Sequence, residues 1–211
     1  MKRLIPIGIN HLCQVLGISV ILTLITGYAE IARPSSSADT DIVLIILIGA
    51  FNLPNVDLPL QYGITRQSIF KYLGIMLIIS SLIYVITIWG ITAIFNLPVT
   101  LATYPLELSI VNLILVTLAF FTAMLFMMCF YYGQYIFHKL PNSIANFINV
   151  IIILLAAIIV VISVSTMNTY YLSSGLISSI LALLAVIELV LLYFLVKNVD
   201  ITVAMRRYGK K

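Results

Sequence analysis

Apolar residues dominate the chain in six long stretches that short polar segments separate. These stretches cover approximately residues 5–27, 42–56, 72–95, 106–132, 144–164 and 176–196. A helix needs about 20 apolar residues to cross the hydrocarbon core of a bilayer. The pattern therefore predicts an all-α fold, a polytopic membrane bundle of six transmembrane helices that forms a single domain over residues 1–211.

Proline residues fall between these stretches or at their ends, with one exception inside the second stretch. Pro54 removes a backbone donor there, and its ring clashes with the preceding helical turn. We therefore expect the second span to kink or to break early at Pro54.

The composition agrees with a membrane protein and excludes several other classes. Hydrophobic residues make up 63% of the chain and charged residues only 9%, whereas soluble domains average about 25% charged residues. So few charges cannot cover a water-facing surface, which argues against an ordinary soluble enzyme, a disordered tail or a nucleic-acid-binding domain. We expect the lipid bilayer to be the surrounding medium and no nucleic acid to be a partner.

Positive charges predict the orientation of the chain in the membrane. Ten of the 11 Lys and Arg residues precede the first span, follow the sixth, or lie between spans two and three or four and five. Arg33 is the exception. Cytoplasmic loops carry an excess of Lys and Arg, so both termini are expected in the cytoplasm of a multi-pass protein of the cell (cytoplasmic) membrane.

The first apolar stretch has an alternative interpretation as a secretory signal, because it follows Lys2 and Arg3. Asn10, His11 and Gln14 interrupt its apolar run. We therefore expect it to remain as the first span.

Sequence motifs for catalysis are absent from the chain. It contains no GxxxxGK[ST], HExxH or GxSxG pattern, so neither nucleotide hydrolysis nor a hydrolytic centre is predicted. Cys13 and Cys129 lie in apolar stretches and are expected to be small buried residues. The chain is thus predicted to be no enzyme, with no metal site and no cofactor of its own.

A few polar residues lie deep inside the predicted spans. Glu188 and Gln14 each lie roughly 13 Å from the predicted inner end of their helix. Asn10 shares a helical face with Gln14, and His11 borders that face. We expect Glu188 to form a hydrogen bond to Gln14 or His11 inside the bundle. Two interpretations stay open: a polar lining of a substrate or proton path, and an interhelical clamp.

The segment 57–71 between spans two and three is predicted to be a cytoplasmic loop. Gly63 permits a sharp turn, and Thr65 is a suitable N-cap for a short helix over residues 66–72. From the residues alone, this segment is either a polar interfacial turn or the docking site of a partner.

Residues 61–70, Gln-Tyr-Gly-Ile-Thr-Arg-Gln-Ser-Ile-Phe, resemble an element of the small type-2 ABC-transporter permeases of Gram-positive bacteria. In that family, a Gly-[Val/Ile]-[Ser/Thr]-Arg-x-x-[Phe/Tyr]-like element follows span two and docks on a cytoplasmic ATPase. The resemblance implies an ATP-driven exporter of a hydrophobic or peptide substrate, with ATP bound by the partner ATPase. It also implies a second copy of the chain, or a related permease, in a dimer. The ATPase contacts that it implies are Gly63, Thr65, Arg66, Ile69, Phe70 and Lys71.

Two other classes of membrane protein share the size and the number of spans. One is the substrate-binding membrane subunit of an energy-coupling-factor vitamin importer. The other is a non-transport immunity or assembly protein.

Overall fold

A computed structural model describes residues 5–32, 40–54, 65–95, 99–101, 104–105, 109–137 and 174–198. These residues form a bundle of helices, and four of the helices are long and apolar enough to cross a membrane. The chain is therefore a multi-pass membrane protein. The helices are α1 (Ile5–Ala32), α2 (Ile42–Ala50), α3 (Arg66–Phe95), α4 (Ile110–Phe137) and α5 (Ser174–Asn198).

Hydroxyl side chains cap the N-termini of two helices. Within the helices, hydroxyl groups form hydrogen bonds to backbone carbonyls of the preceding turn. Thr65 Oγ1 accepts a bond from the Ser68 amide at 3.4 Å, and Ser109 Oγ accepts one from the Asn112 amide at 3.2 Å. Both are N-cap bonds, which satisfy amides that the helix itself leaves unpaired. Inside α1, Thr23 donates to the carbonyl of the preceding turn at 2.7 Å, so its hydroxyl is satisfied in an apolar setting.

Helices α1 and α3 lie side by side and run in the same direction. A Cβ added at Gly8 would lie 3.2 Å from the sulfur of Met76 and 3.5 Å from the ring of Tyr72. One turn later on each helix, His11 Nε2 lies 3.2 Å from Ser80 Oγ. Because both contacts advance along the two helices together, α1 and α3 are parallel.

Helix α5 runs against α3. Arg66, at the start of α3, contacts Lys197 near the end of α5, and Phe70 contacts Tyr193 one turn further along. The starts of α1 and α3 and the end of α5 therefore share one end of the bundle. We call it the basic end, because Arg66, Lys71 and Lys197 lie there.

Two contacts fix the direction of α4. Phe120 stacks on Tyr84, which lies about 27 Å along α3 from the basic end. Cys129 donates to the carbonyl of Glu188, which lies about 15 Å from the basic end of α5. The chain approaches the basic end as it passes from Phe120 to Cys129, so α4 is parallel to α5 and antiparallel to α3.

Three short strands lie at the opposite end, which we call the strand end. They are β1 (Thr40–Asp41), β2 (Val99–Leu101) and β3 (Tyr104–Pro105). β1 pairs in parallel with β2, with Thr40 opposite Val99, and β2 pairs antiparallel with β3. The sheet joins the segment before α2 to the segment after α3.

Helix α2 enters from the strand end and stops inside the bundle. It has nine residues, or about 14 Å of helix, which is about half the thickness of the hydrocarbon core. Its last turn is tight, because the Asn52 amide donates to the Gly49 carbonyl at 3.0 Å. The early break predicted near Pro54 is thus confirmed, and the helix ends at Ala50.

The predicted spans agree with the structure for α1, α4 and α5, apart from their ends. Helix α3 begins at Arg66 and not at residue 72, so the segment predicted as a separate short helix is the first part of α3. The predicted span 144–164 and residues 57–64 of the predicted loop lie outside the described residues.

Three helices, α2, α3 and α4, come into close contact at one point. The rings of Tyr84 and Phe120 are stacked, with centroids 4.9 Å apart and planes 7° from parallel. A Cβ at Gly49 would lie 3.0 Å from the Tyr84 ring and 3.3 Å from the Phe120 ring. Glycine therefore allows the end of α2 to rest directly on the stacked pair.

Candidate functional site

The first turn of α3 is bonded to the last turn of α5 at the basic end. The Arg66 guanidinium donates to the backbone carbonyl of Lys197. Carbonyls in the last turn of a helix have no partner within the helix and carry partial negative charge. Arg66 satisfies one of these carbonyls, so the start of α3 and the end of α5 are held together.

Aromatic packing strengthens the same junction. Phe70 and Tyr193 meet edge to face, with ring centroids 5.5 Å apart and planes 79° from parallel. Ile69 is completely buried beside them. Ile69 and half-buried Phe70 thus pack against the bundle, and they are not the exposed contact surface that the loop prediction implied.

Four residues at the start of α3 remain exposed, and we call them the docking surface: Thr65, Arg66, Gln67 and Lys71. Three of them belong to the set that the sequence predicted for a partner. The fourth, Gln67, was not singled out, although its spacing places it beside Lys71 on one helical face. Gly63, which was also predicted, lies outside the described residues.

The positive charges of the described ranges are gathered at one end of the bundle. Their Lys and Arg residues are Arg66, Lys71 and Lys197, all at the basic end. Asp41 is the last residue of β1, directly before α2, and lies at the strand end. The described Lys and Arg residues therefore distinguish the basic end from the strand end.

The polar residues inside the spans are arranged differently from the prediction. His11 is buried and contacts Ser80 of α3 through its Nε2 atom. Glu188 lies between α5 and α4, where the Cys129 thiol lies 3.4 Å from its backbone carbonyl. Its carboxylate Oε2 is buried, with no hydrogen-bond partner among the described residues. The predicted bond from Glu188 to Gln14 or His11 is therefore wrong.

Asn10 and Gln14 face outward on α1, and not into the bundle as predicted. Cys13, which was expected to be buried, is exposed on the same side of the helix, whereas Cys129 is buried as expected. The physical reason is the orientation of α1 about its own axis, which places small and hydroxyl residues such as Gly8 and Ser19 against the neighbouring helices.

Sequence reasoning missed a polar pair at the end of α2. The Tyr84 hydroxyl and the Asn52 side chain are both buried and interact with each other, but the hydroxyl and the Asn52 Nδ2 atom make no hydrogen bond of normal geometry in the described part of the chain. Buried polar groups normally have well-formed hydrogen bonds, so this pair is an unusual feature of the end of α2. The Asn-Leu-Pro sequence after Ala50 was the available signal for the break, but the pairing with Tyr84 depends on tertiary packing.

In the ranges that the structure describes, no three His, Cys, Asp or Glu side chains are grouped so that they could bind a metal ion. No family model, curated protein or solved structure matches the chain. The functional interpretation consequently depends on the geometry of the basic end and of the spans.

Proposed function

We propose that the chain is the membrane-spanning permease subunit of an ATP-driven transporter of the type-2 ABC class. A separate cytoplasmic ATPase docks on Thr65, Arg66, Gln67 and Lys71, and ATP binds to that partner. The resemblance of residues 61–70 supports this proposal, as does the exposure of these four side chains at one end of the bundle.

The observation that carries the proposal is the junction between α3 and α5. Arg66 and Phe70 attach the start of α3 to Lys197 and Tyr193 of α5. A partner that pushes on the docking surface therefore moves two membrane helices together. That is the mechanical property that a motor subunit requires of the element it contacts.

The proposal includes six spans with both termini in the cytoplasm. Helices α4 and α5 are parallel, and the proposal places one further crossing of the membrane between them in the sequence. The apolar run at 144–164 is long enough to supply that crossing as a fifth span. With the interrupted helix α2 as the second span, the total is six.

The proposed cargo is a hydrophobic or peptide substrate that is exported from the cell. The interrupted helix α2 supports a binding position partway through the bundle.

Affinity purification of the tagged chain from its native membrane tests the proposed function. We expect an ABC-type ATPase to co-purify in roughly equimolar amount and to be identified by mass spectrometry. A purification that consistently yields the chain without any nucleotide-hydrolysing partner would contradict the assignment.

Cysteine labelling tests the proposed orientation at the two ends of α3. In a chain with Cys13 and Cys129 changed to alanine, Gln67→Cys should react with a membrane-impermeant maleimide only after the cells are permeabilised. Phe95→Cys, at the exposed far end of the same helix, should react in intact cells. The reverse labelling pattern would place the docking surface outside the cell, where no ATPase can reach it.

A further inference from the structure

Only one acidic residue lies deep inside the apolar stretches of the chain. Glu188 is near the middle of α5, about 15 Å from the basic end. Glu107 lies at the edge of the fourth stretch, and the other Asp and Glu residues lie outside the stretches. Ala185 and Leu192, three residues before Glu188 and four after it, are buried. Glu188 therefore lies on the side of α5 that packs into the bundle.

The apolar stretches supply no positive partner for this carboxyl group. Between Lys139 and Lys197, the sequence contains no Lys, Arg or His, so the predicted span 144–164 adds none. The one basic side chain within any of the six stretches is His11, and its Nε2 atom contacts Ser80. Glu188 thus has no counter-charge within the apolar part of the chain.

The carboxyl group does not connect α5 to a neighbouring helix in the described part of the chain. Its Oε2 atom is buried and has no hydrogen-bond partner there. The Cys129 thiol of α4 donates to the backbone carbonyl of Glu188 at 3.4 Å. An interhelical clamp requires a bond from the carboxyl group itself, so these contacts favour the other interpretation, a polar position on a transport path.

A carboxylate in hydrocarbon requires neutralisation by a positive charge. A proton removes the negative charge, but it adds an O–H donor to a group that already lacks partners. An ammonium or guanidinium group neutralises the charge and also donates strong hydrogen bonds to the carboxylate oxygens. A foreign organic cation therefore satisfies both requirements of Glu188.

We propose that Glu188 binds the positively charged group of a hydrophobic organic cation that the permease transports. The carboxylate selects the charge, and the depth of the site selects an apolar body, since a strongly hydrated cation would lose its water there. The inference rests on the proposed function and narrows its substrate class. Tyr193, which contacts Phe70 of α3, lies about 8 Å further along α5, so motion at the junction is carried to the bound cation.

Equilibrium binding to the full-length chain, purified and reconstituted in phosphatidylcholine bilayers, tests the proposal. The probes are 1-adamantylammonium and its neutral counterpart of similar shape, 1-adamantanol. We expect saturable binding of the cation and a Kd at least ten-fold higher for Glu188→Gln, which keeps the shape of the side chain. The matched control Asp41→Asn removes a carboxylate at the strand end and should leave the Kd unchanged. The substitutions should not alter the partitioning of 1-adamantanol.

Protection from chemical modification tests the same site without any substitution. Dicyclohexylcarbodiimide reacts with carboxyl groups that hold a proton in an apolar setting, and mass spectrometry of the peptide around Glu188 measures the reaction. We expect 1-adamantylammonium to slow this modification at least five-fold. Modification at the same rate with and without the cation would overturn the proposal and show that Glu188 exchanges only a proton.

Two binding results would also overturn the proposal: equal Kd values for the unmodified chain and Glu188→Gln, or no saturable binding of 1-adamantylammonium. All these measurements use the chain without its partner. Absence of a co-purifying ATPase would contradict the proposed function and leave cation binding unchanged, so the two failures are distinguishable.

Discussion

Replacing Tyr84 with alanine is expected to lower the free energy of unfolding by about 3–5 kcal/mol, as large-to-small changes of buried aromatic residues do. Tyr84 has 0% exposure and stacks on Phe120. Its ring also supports Gly49 at the end of α2. The substitution therefore opens a cavity where three helices meet. Thermal or denaturant unfolding of the purified protein in detergent measures the loss.

Two substitutions separate the contribution of the ring from that of the hydroxyl and of the position. Ile86→Ala, on the same helix at 69% exposure, should change the free energy of unfolding by no more than about 0.5 kcal/mol. Tyr84→Phe keeps the stacked ring and removes a buried hydroxyl whose contact with the Asn52 side chain lacks normal hydrogen-bond geometry in the described ranges. It should therefore be neutral or slightly stabilising.

A large destabilisation by Tyr84→Phe would show that the hydroxyl has a structural partner. A small effect of Tyr84→Ala would show instead that α2 does not depend on the stacked pair. Either result can be read without knowing the transported substrate.

The sequence predicted the four long helices well because their signal is local. A run of about 20 apolar residues has one stable solution in a bilayer, since a helix satisfies its own backbone. The break near Pro54 and the N-cap at Thr65 are also local effects of backbone geometry, and both were predicted. The start of α3 at Arg66 was not, because polar residues at a membrane interface are compatible with a separate turn or with a continuous helix.

The rotation of each helix was the property that the sequence could not provide. Helix α1 is apolar on most sides, so its periodicity does not distinguish the face toward the bundle from the face toward lipid. Asn10 and Gln14 were assigned to the interior for that reason, since polar residues in membranes usually face protein.

We expect a second large effect from substitutions at the basic end: one should prevent binding of the ATPase, and the other should prevent its motion from reaching α5. Lys71→Glu reverses a charge on the docking surface and should reduce co-purification of the ATPase at least ten-fold. Phe70→Ala leaves the docking surface unchanged but removes the packing on Tyr193. The ATPase should then remain bound, while its rate of ATP hydrolysis falls to that of the free ATPase subunit.

Matched controls exclude general effects of charge and of lost volume. Lys197→Glu changes the net charge of the basic end equally, but it keeps the backbone carbonyl that Arg66 contacts, so the ATPase should remain bound. Ile75→Ala shortens an exposed side chain of α3 and should affect neither binding nor hydrolysis.

The combination of results decides how the two helices work together. If Phe70→Ala releases the ATPase as completely as Lys71→Glu does, then docking and coupling cannot be separated, and the α3–α5 junction only supports the docking surface. If Phe70→Ala retains both binding and full hydrolysis, motion of α3 does not have to reach α5 through this junction. Retained binding with lost stimulation is the result that a mechanical link predicts, because the contact with the motor is then intact while its connection to α5 is broken.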